Sequence, residues 1–169
     1  MACVYWITGL SGAGKTTIGK IFFNKLKKND PATVFLDGDT LRQVFGDDLG
    51  YSETDRRKCA MRYSRLCKFL SEQGITIVIC TISMFESVRE WNRKYIENYR
   101  EIYIKVSMHT LKKRDQKGLY SGKTNERNTD VMGIHIIGEE PMRPDLILEN
   151  DGEILPGEQA DRIMEYFAL

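Results

Sequence analysis

The sequence lacks any hydrophobic run long enough to cross a membrane. No apolar stretch in its 169 residues approaches the roughly 18 residues that a spanning helix requires. The first residues also lack the basic stretch that opens a secretory signal peptide, and they run directly into a sequence motif discussed below. These absences lead us to expect a cytoplasmic protein with no membrane partner.

The chain has no excess of charge of either sign. Its 25 lysines and arginines balance 24 aspartates and glutamates, which leaves a net charge of +1. This balance argues against a chain-wide basic surface of the kind that binds nucleic acid, although it allows a local cationic pocket. We therefore expect a small-molecule partner and no nucleic acid.

Cysteine and histidine are scarce and are not grouped. The two histidines, His109 and His135, lack the spacing of metal ligands, and no function is assigned to either. The four cysteines form no C-x-x-C pair, so we expect reduced and mostly buried thiols. These cysteines are Cys3, Cys59, Cys67 and Cys80.

The sequence does contain a regular alternation of strand and helix patterns. Strands are predicted at 3–8, 33–36, 75–82, 101–106 and 144–148, and helices at 15–28, 54–73, 86–98, 108–114 and 157–168. The nearly continuous β-branched run at 75–82 is typical of a strand in the centre of a parallel sheet. With no repeat and no linker, residues 1–169 are interpreted as one α/β domain.

One segment breaks this alternation. Residues 116–140 are polar, contain four glycines and show no clean periodicity. A stretch this long inside a compact domain is usually a functional lid or a disordered segment. We interpret residues at about 116–136 as a lid.

Residues 9–16 read GLSGAGKT and match the phosphate-binding pattern G-x-x-x-x-G-K-[ST] in full, between a predicted strand and a predicted helix. Glycines let several backbone N–H groups converge on phosphate oxygens, and the helix adds its positive N-terminus. Lys15 is predicted to reach the β- and γ-phosphates of ATP, and the Thr16 hydroxyl to bind Mg²⁺. The predicted cofactor-binding residues of this loop are Gly9, Ser11, Gly12, Ala13, Gly14, Lys15, Thr16 and Thr17.

Several enzyme classes share such a P-loop, and two of them do not fit. A GTPase should carry an N-K-x-D base-reading motif, which is absent, and larger ATPases need a longer chain. Small-molecule kinases pair the loop with an acidic turn after the second strand and with a lid, and both are present. A catalytically silent nucleotide-binding module stays a remote alternative, because Lys15 and Asp39 are both retained.

The acidic turn is the segment Leu36-Asp37-Gly38-Asp39-Thr40-Leu41-Arg42. It lies at a strand end, where doubly wound sheets place their ligands. One carboxylate can orient an attacking hydroxyl or accept its proton, the other can help to hold Mg²⁺, and Arg42 suits an anionic part of the acceptor. The structural alternative is a polar turn that caps a helix, with Asp39 or Thr40 as the N-cap.

Four segments together, GLSGAGKTT, LDGDxxR, GYSETDR and RDQKGLY, resemble those of adenylylsulfate (APS) kinases from about residue 4 to residue 148. The resemblance implies a P-loop NTPase fold like that of nucleoside monophosphate kinases, a three-layer α/β/α domain with a parallel five-stranded sheet. It also implies ATP-dependent phosphorylation of the 3′-hydroxyl of adenosine 5′-phosphosulfate, with Mg²⁺, by an enzyme that is commonly a homodimer.

The resemblance also implies roles for individual residues. Asp39 is the base or orienting group at the acceptor 3′-hydroxyl, and Asp37 is its neighbour on the Mg²⁺ side. Arg114 lies near the ATP base, Lys117 approaches the phosphates and contributes to catalysis, and Leu119 lines the acceptor pocket. The other implied acceptor contacts are Arg42, Tyr51, Arg56 and Ser83.

Departures from the family pattern cluster on the acceptor side. The usual DGDN ends in Thr40, Cys59 replaces an asparagine that binds the substrate nucleotide, and Met84 replaces a proline. Of two aromatic rings that enclose the adenine, Tyr51 is kept and the other is replaced by Val131, which removes a stacking contact worth on the order of 1 kcal/mol.

Donor chemistry is thus retained while acceptor recognition has changed. The departures resemble the cytidine diphosphoramidate kinases of capsular polysaccharide phosphoramidate pathways, whose smaller pyrimidine needs less stacking area. Cytidine 5′-diphosphoramidate is therefore our first hypothesis for the acceptor. Adenylylsulfate itself, with the substitutions as drift, is the second, and another nucleotide or nucleotide sugar is the third.

Overall fold

The computed structural model describes residues 2–115, 118–120 and 130–169, in which strands and helices alternate as predicted. The elements in chain order are β1 (Val4–Thr8), α1 (Lys15–Asn29), β2 (Val34–Asp37), α2 (Gly38–Val44), α3 (Glu53–Ser71), β3 (Ile77–Cys80), α4 (Glu86–Tyr95), β4 (Tyr99–Lys105), α5 (Met108–Arg114), β5 (Leu146–Glu149) and α6 (Pro156–Tyr166).

The strands form one parallel five-stranded sheet in the order β2-β3-β1-β4-β5. The predicted α/β fold with a parallel sheet is therefore confirmed. Strands β1 and β3 lie inside the sheet and are buried along their whole length. Because the strands are parallel, the loops that follow β1, β2 and β3 emerge side by side at one edge of the sheet.

Helices cover both faces of the sheet, which gives the predicted three layers. Alternate side chains of β1 point to opposite faces, as strand geometry requires. Val4 and Trp6 pack in one core with residues of α3 and α4, among them Val88. Tyr5 and Ile7 pack in a second core with residues of α1 and α6. The two cores fix the sheet between its helices and hold the strand ends in place.

Every predicted strand and helix is present, with ends displaced by a few residues. Helix 86–98 ends early, at Tyr95, because the backbone of Ile96 is extended (φ −110°, ψ 114°). The helix α2 was predicted only by the alternative interpretation of the acidic turn, in which the turn caps a helix. All four cysteines are free thiols and three of them are buried, which confirms that prediction. In the described ranges, no helix is both long and apolar enough to span a bilayer.

Candidate active site

The phosphate-binding loop connects β1 to α1, and α1 begins without a side-chain cap. Among the described residues its N-cap, Gly14, provides no side-chain cap, and its first turn contains no acidic residue. Asp37, Ser52 and Ser107, in contrast, cap α2, α3 and α5. The first N–H groups of a helix have no partner within the helix, and they favour an anion. The start of α1 is thus suited to phosphate oxygens.

Two glycines of this loop are required by the packing beneath it. A Cβ at Gly9 would lie 2.5 Å from the carbonyl oxygen of Ile104, and a Cβ at Gly14 would lie 2.6 Å from Asn150 Nδ2. Gly14 also has a φ of 93°, which an L side chain rarely adopts. The loop therefore sits directly on the ends of β4 and β5.

Side chains distant in sequence support the loop from below. Asn150 Nδ2 donates to the Ala13 carbonyl at 2.8 Å. Arg114 Nη2 donates to the carbonyl of Asn150 at 2.7 Å, and Arg114 Nη1 lies 3.5 Å from the carbonyl of Gly12. The structure thus places Arg114, predicted near the ATP base, beneath the loop. Sequence reasoning missed Asn150, whose only signal is its position directly after β5.

Lys15, Thr16 and Asp37 meet where β1 and β2 end. The Lys15 side chain is buried and its Nζ donates to the Leu10 carbonyl at 2.7 Å. Thr16 Oγ1 donates to Asp37 Oδ2 at 2.8 Å. A hydroxyl and a carboxylate oxygen at this spacing are hard oxygen ligands of the kind that Mg²⁺ prefers, so this pair fits the cation.

Asp37 also hydrogen-bonds the backbone at the start of α2. Its Oδ1 accepts from the backbone N–H groups of Asp39 at 3.1 Å and Thr40 at 3.3 Å. Asp37 is therefore the N-cap of α2. The alternative interpretation had predicted a capped helix here but named Asp39 or Thr40 as the cap, and that assignment was wrong. The capping leaves the Asp39 side chain exposed at the cleft.

A cleft of about 510 Å³ joins the phosphate-binding loop to the acidic turn and to the start of α3. Three predicted site residues do not line the cleft: Gly9, Ala13 and Arg114. A fourth, Lys117, is not among the residues that the structure describes, and neither are residues 116 and 121–129 of the predicted lid. The predicted site residues that line the cleft are Ser11, Gly12, Gly14, Lys15, Thr16, Thr17, Asp37, Asp39, Arg42, Tyr51, Arg56, Cys59, Ser83, Leu119 and Val131.

At the end of the cleft away from the loop, two arginines face one aromatic ring. The guanidinium carbon of Arg42 lies 4.5 Å, and that of Arg56 5.2 Å, from the centroid of the half-exposed Tyr51 ring. Arg42 Nη1 donates to the carbonyls of Leu49 and Gly50 at 2.9 and 3.0 Å. Burial, and then the charge of Arg42, lower the pKa of Arg56. An anionic ligand would relieve this repulsion.

Cys59, on the cleft wall, is hydrogen-bonded to a neighbouring tyrosine. Its thiol donates to the Tyr63 hydroxyl at 3.1 Å, and that hydroxyl donates to the Gly38 carbonyl at 2.7 Å. Burial raises the pKa of Tyr63 far above its usual range, so the hydroxyl stays protonated. Sequence reasoning missed Tyr63 as a cleft residue, although its position one helical turn after Cys59 on α3 was a usable signal.

The remaining wall of the cleft comes from the segment after β3 and from residues 131–132. Ser83 is buried with a φ of 23°, and its hydroxyl lies 2.9 Å from that of Thr81. Val131 and Met132 are buried, with exposed fractions of 5% and 3%. The position where a second ring was expected in the family thus presents an aliphatic side chain.

The family model described as Adenylylsulphate kinase matches residues 1–149 of this chain. The chain belongs to the adenylylsulfate kinase family. The resemblance inferred from the four sequence segments is thereby confirmed. This family uses ATP, and the chain is a P-loop kinase whose reaction class is phosphoryl transfer.

The kinase has relatives along its whole length. A cytidine diphosphoramidate kinase of Campylobacter jejuni subsp. jejuni serotype O:2 is 39% identical over 98% of this chain and 96% of that protein. An adenylyl-sulfate kinase of Bacillus pumilus is 33% identical over 96% of this chain and 83% of that protein. The APS kinase of Mycobacterium tuberculosis, solved in complex with AMPPNP and APS, superimposes with a TM-score of 0.89 at 28% identity, covering 99% and 98% of the two chains.

Proposed function

We propose that this kinase transfers the γ-phosphoryl group of ATP to the 3′-hydroxyl of cytidine 5′-diphosphoramidate, in a capsular phosphoramidate pathway. The observation that carries the proposal is the composition of the cleft. Its donor end brings Lys15 and Thr16 of the phosphate-binding loop together with Asp37, while its acceptor end presents Cys59 bonded to Tyr63 and the aliphatic Val131. The 39% identity to a cytidine diphosphoramidate kinase supports the same acceptor.

On the donor side, the loop N–H groups and the uncapped start of α1 would bind the phosphates of ATP. Lys15 Nζ would exchange its bond to the Leu10 carbonyl for the β- and γ-phosphate oxygens. Thr16 and Asp37 would hold Mg²⁺, which when bound neutralises charge on the transferring group. Positioning and cations would then supply most of the rate enhancement, because the transition state is loose and highly charged.

On the acceptor side, the exposed carboxylate of Asp39 would orient the 3′-hydroxyl and accept its proton. Arg42 and Arg56 would bind the anionic 5′ group, and the half-exposed ring of Tyr51 beside them would stack on the base. Ser83 and Leu119 would line the same pocket. The role of Lys117 at the phosphates stays a prediction, and closure of the lid would exclude water from the transfer.

Phosphorylation of adenylylsulfate is the second candidate function. Tyr51 is retained as an aromatic surface for adenine, and the superposition on an APS kinase bound to APS covers almost the whole chain. In that case the substitutions at Cys59 and Val131 would be neutral drift. The catalytically silent module is disfavoured because Lys15, Thr16, Asp37 and Asp39 all line one cleft.

The decisive experiment is a coupled ADP-release assay with MgATP and the two acceptors side by side. We expect cytidine 5′-diphosphoramidate to give the larger kcat/KM by at least about 100-fold, since a pocket built for one polar base rejects another strongly. A larger kcat/KM for adenosine 5′-phosphosulfate would overturn the proposed acceptor and make the chain an adenylylsulfate kinase. ADP release with neither acceptor would argue against a nucleotide 3′-kinase of either kind.

Replacing Tyr51 by alanine should raise the KM for the preferred acceptor about tenfold and leave kcat within about twofold. The ring lies at the acceptor end of the cleft and its loss removes a surface for the base and for both arginines. Steady-state kinetics with each substrate varied in turn would measure this. Tyr51→Phe, which keeps the ring, is the matched control and should behave like the wild type. A fall in kcat alone would show that the stacking role is wrong.

A further inference from the structure

The wall that carries Val131 and Met132 belongs to a short segment, residues 130–139, that bonds mostly to itself. The Gly133 N–H donates to the Ile136 carbonyl at 2.8 Å, and the His135 N–H donates to the Val131 carbonyl at 2.9 Å. Such a compact loop keeps its own shape, but these internal bonds do not fix its distance from α3 across the cleft. Met132 and Ile136 of the segment pack in the hydrophobic core, and the polar contacts at the two ends of the segment add to what sets its distance from α3.

Two consecutive arginines of α3 bind the two ends of this segment. Arg56 Nη2 donates to the carbonyl of Asp130 at 2.8 Å, at the start of the segment. Arg57 Nη2 donates to Glu139 Oε1 at 2.9 Å, at its end. Because the two arginines are neighbours, one point of α3 contacts both ends, and the sequence separations of 74 and 82 residues show that only the fold brings them together. Arg89 Nη2 of α4 also donates to the Glu139 carbonyl, at 2.8 Å.

Glu139 also ties the segment to the residues before α4. Its Oε2 accepts from the Glu86 N–H at 2.6 Å, and its own N–H donates to the Met84 carbonyl at 2.9 Å. The Arg57 guanidinium lies 4.3 Å from the ring centroid of Phe85, a cleft residue. The Glu86 N–H bond first, and then Arg57, hold the pKa of Glu139 below its usual range, so it is ionised near neutrality.

We propose that Arg57 and Glu139 are positioning residues that set the width of the acceptor pocket. Neither is among the described residues that line the cleft. They act through the three wall segments that they join: the start of α3, residues 83–86 and residues 130–139. A Cβ at Gly133, in the middle of the segment, would lie 3.0 Å from Leu10 Cδ2 of the phosphate-binding loop. The pair bonds only the two ends of the segment, so we expect it to influence the acceptor much more than ATP binding. The acceptor part of this inference rests on the proposed nucleotide kinase activity.

Arg57 offers its own matched control, because it pairs with two carboxylates. Its Nε and Nη2 also bind Glu53 Oε1, at 3.0 and 2.9 Å, within one turn of α3 and away from residues 130–139. Glu139→Gln removes the charge that faces the segment and keeps an oxygen for the Glu86 N–H. Glu53→Gln removes the other charge from the same guanidinium. A difference in acceptor KM between the two variants therefore measures the contribution of the Arg57–Glu139 ion pair, which joins α3 to residues 130–139.

The experiment compares wild type, Glu139→Gln and Glu53→Gln with the preferred acceptor. We expect Glu139→Gln to raise the acceptor KM about fivefold, the effect of losing a partly exposed ion pair that holds a pocket wall. Its kcat, its KM for MgATP and its Tm should remain near the wild-type values. For Glu53→Gln, all four quantities, including the acceptor KM, should remain near the wild-type values. Equal acceptor KM values for the two variants would overturn the proposal, and so would a loss of kcat and Tm without a change in KM.

Amide hydrogen exchange on the ligand-free protein tests the same link without turnover. Peptides spanning 131–138 should exchange faster in Glu139→Gln than in Glu53→Gln or the wild type. Unchanged exchange in that segment would overturn the positioning role even if the acceptor assay succeeded. If the wild type phosphorylated neither nucleotide, the proposed function would fail, while the exchange data would still decide whether Glu139 positions the wall.

Discussion

Replacing Lys15 by alanine is expected to lower kcat by about 10³-fold or more while the protein remains folded. The Lys15 side chain is buried beside the phosphate-binding loop, and its Nζ already hydrogen-bonds the Leu10 carbonyl of that loop. There the ammonium can follow the γ-phosphoryl group as its charge develops, and burial of the Lys15 side chain reduces the screening of its charge by water. ADP-release kinetics at saturating substrates would measure the loss.

Lys20 provides the control for this variant. It lies on the exposed side of the same helix, so Lys20→Ala changes the net charge equally and should leave kcat within about twofold. Circular dichroism and thermal unfolding of both variants would show that the fold is retained. If Lys15→Ala turned over at a near-normal rate, the assignment of the phosphate-binding loop as the donor site would be wrong.

Replacing Asp39 by asparagine is expected to lower kcat by about 10²- to 10⁴-fold, because the amide cannot accept the proton of the acceptor hydroxyl. The change is nearly isosteric. It should also spare the fold, since Asp37 and not Asp39 caps α2 and the Asp39 side chain is exposed at the cleft. The KM for MgATP should stay within about twofold. Steady-state and single-turnover kinetics with the preferred acceptor would separate the chemical step from binding.

Asp37→Asn distinguishes the two carboxylates. Asp37 Oδ2 lies 2.8 Å from Thr16 Oγ1, on the side assigned to the cation. Activity of Asp37→Asn should therefore recover in part as Mg²⁺ is raised, because a weaker ligand can be offset by mass action. The deficit of Asp39→Asn should not respond to Mg²⁺. Two results would contradict the role of Asp39 at the acceptor hydroxyl. One is recovery of Asp39→Asn activity at raised Mg²⁺, and the other is a near-normal rate of Asp39→Asn at ordinary Mg²⁺.

The donor end of the cleft could be predicted from the sequence because its chemistry is local. Eight consecutive residues, 9–16, carry the phosphate-binding pattern, and the flanking strand and helix follow from short-range periodicity. The roles of the two aspartates in the neighbouring acidic turn were harder to predict. The sequence placed a capped helix after β2 as an alternative, but only the folded backbone shows that Asp37 caps α2 and also meets Thr16.

Contacts across the cleft were beyond sequence reasoning. None of the sequence motifs includes Arg57, and its bond to Glu139 spans 82 residues. Asn150 supports Ala13 across 137 residues, and no motif marks it. Cys59 was recognised as unusual, but not its bond to Tyr63 and, through it, to the Gly38 carbonyl.

By itself, the sequence determined the α/β class, the phosphate-binding loop and the acidic turn, because local periodicity and contiguous motifs encode each of them. The tertiary structure decided how the acceptor end is built. The sheet order β2-β3-β1-β4-β5 sets β1 and β3 side by side, so the loops that follow them meet although 68 residues of chain separate Thr8 from Ile77. Which residues then face each other across the cleft depends on this order of strands and on the packing of α3 against the sheet, neither of which sequence spacing specifies.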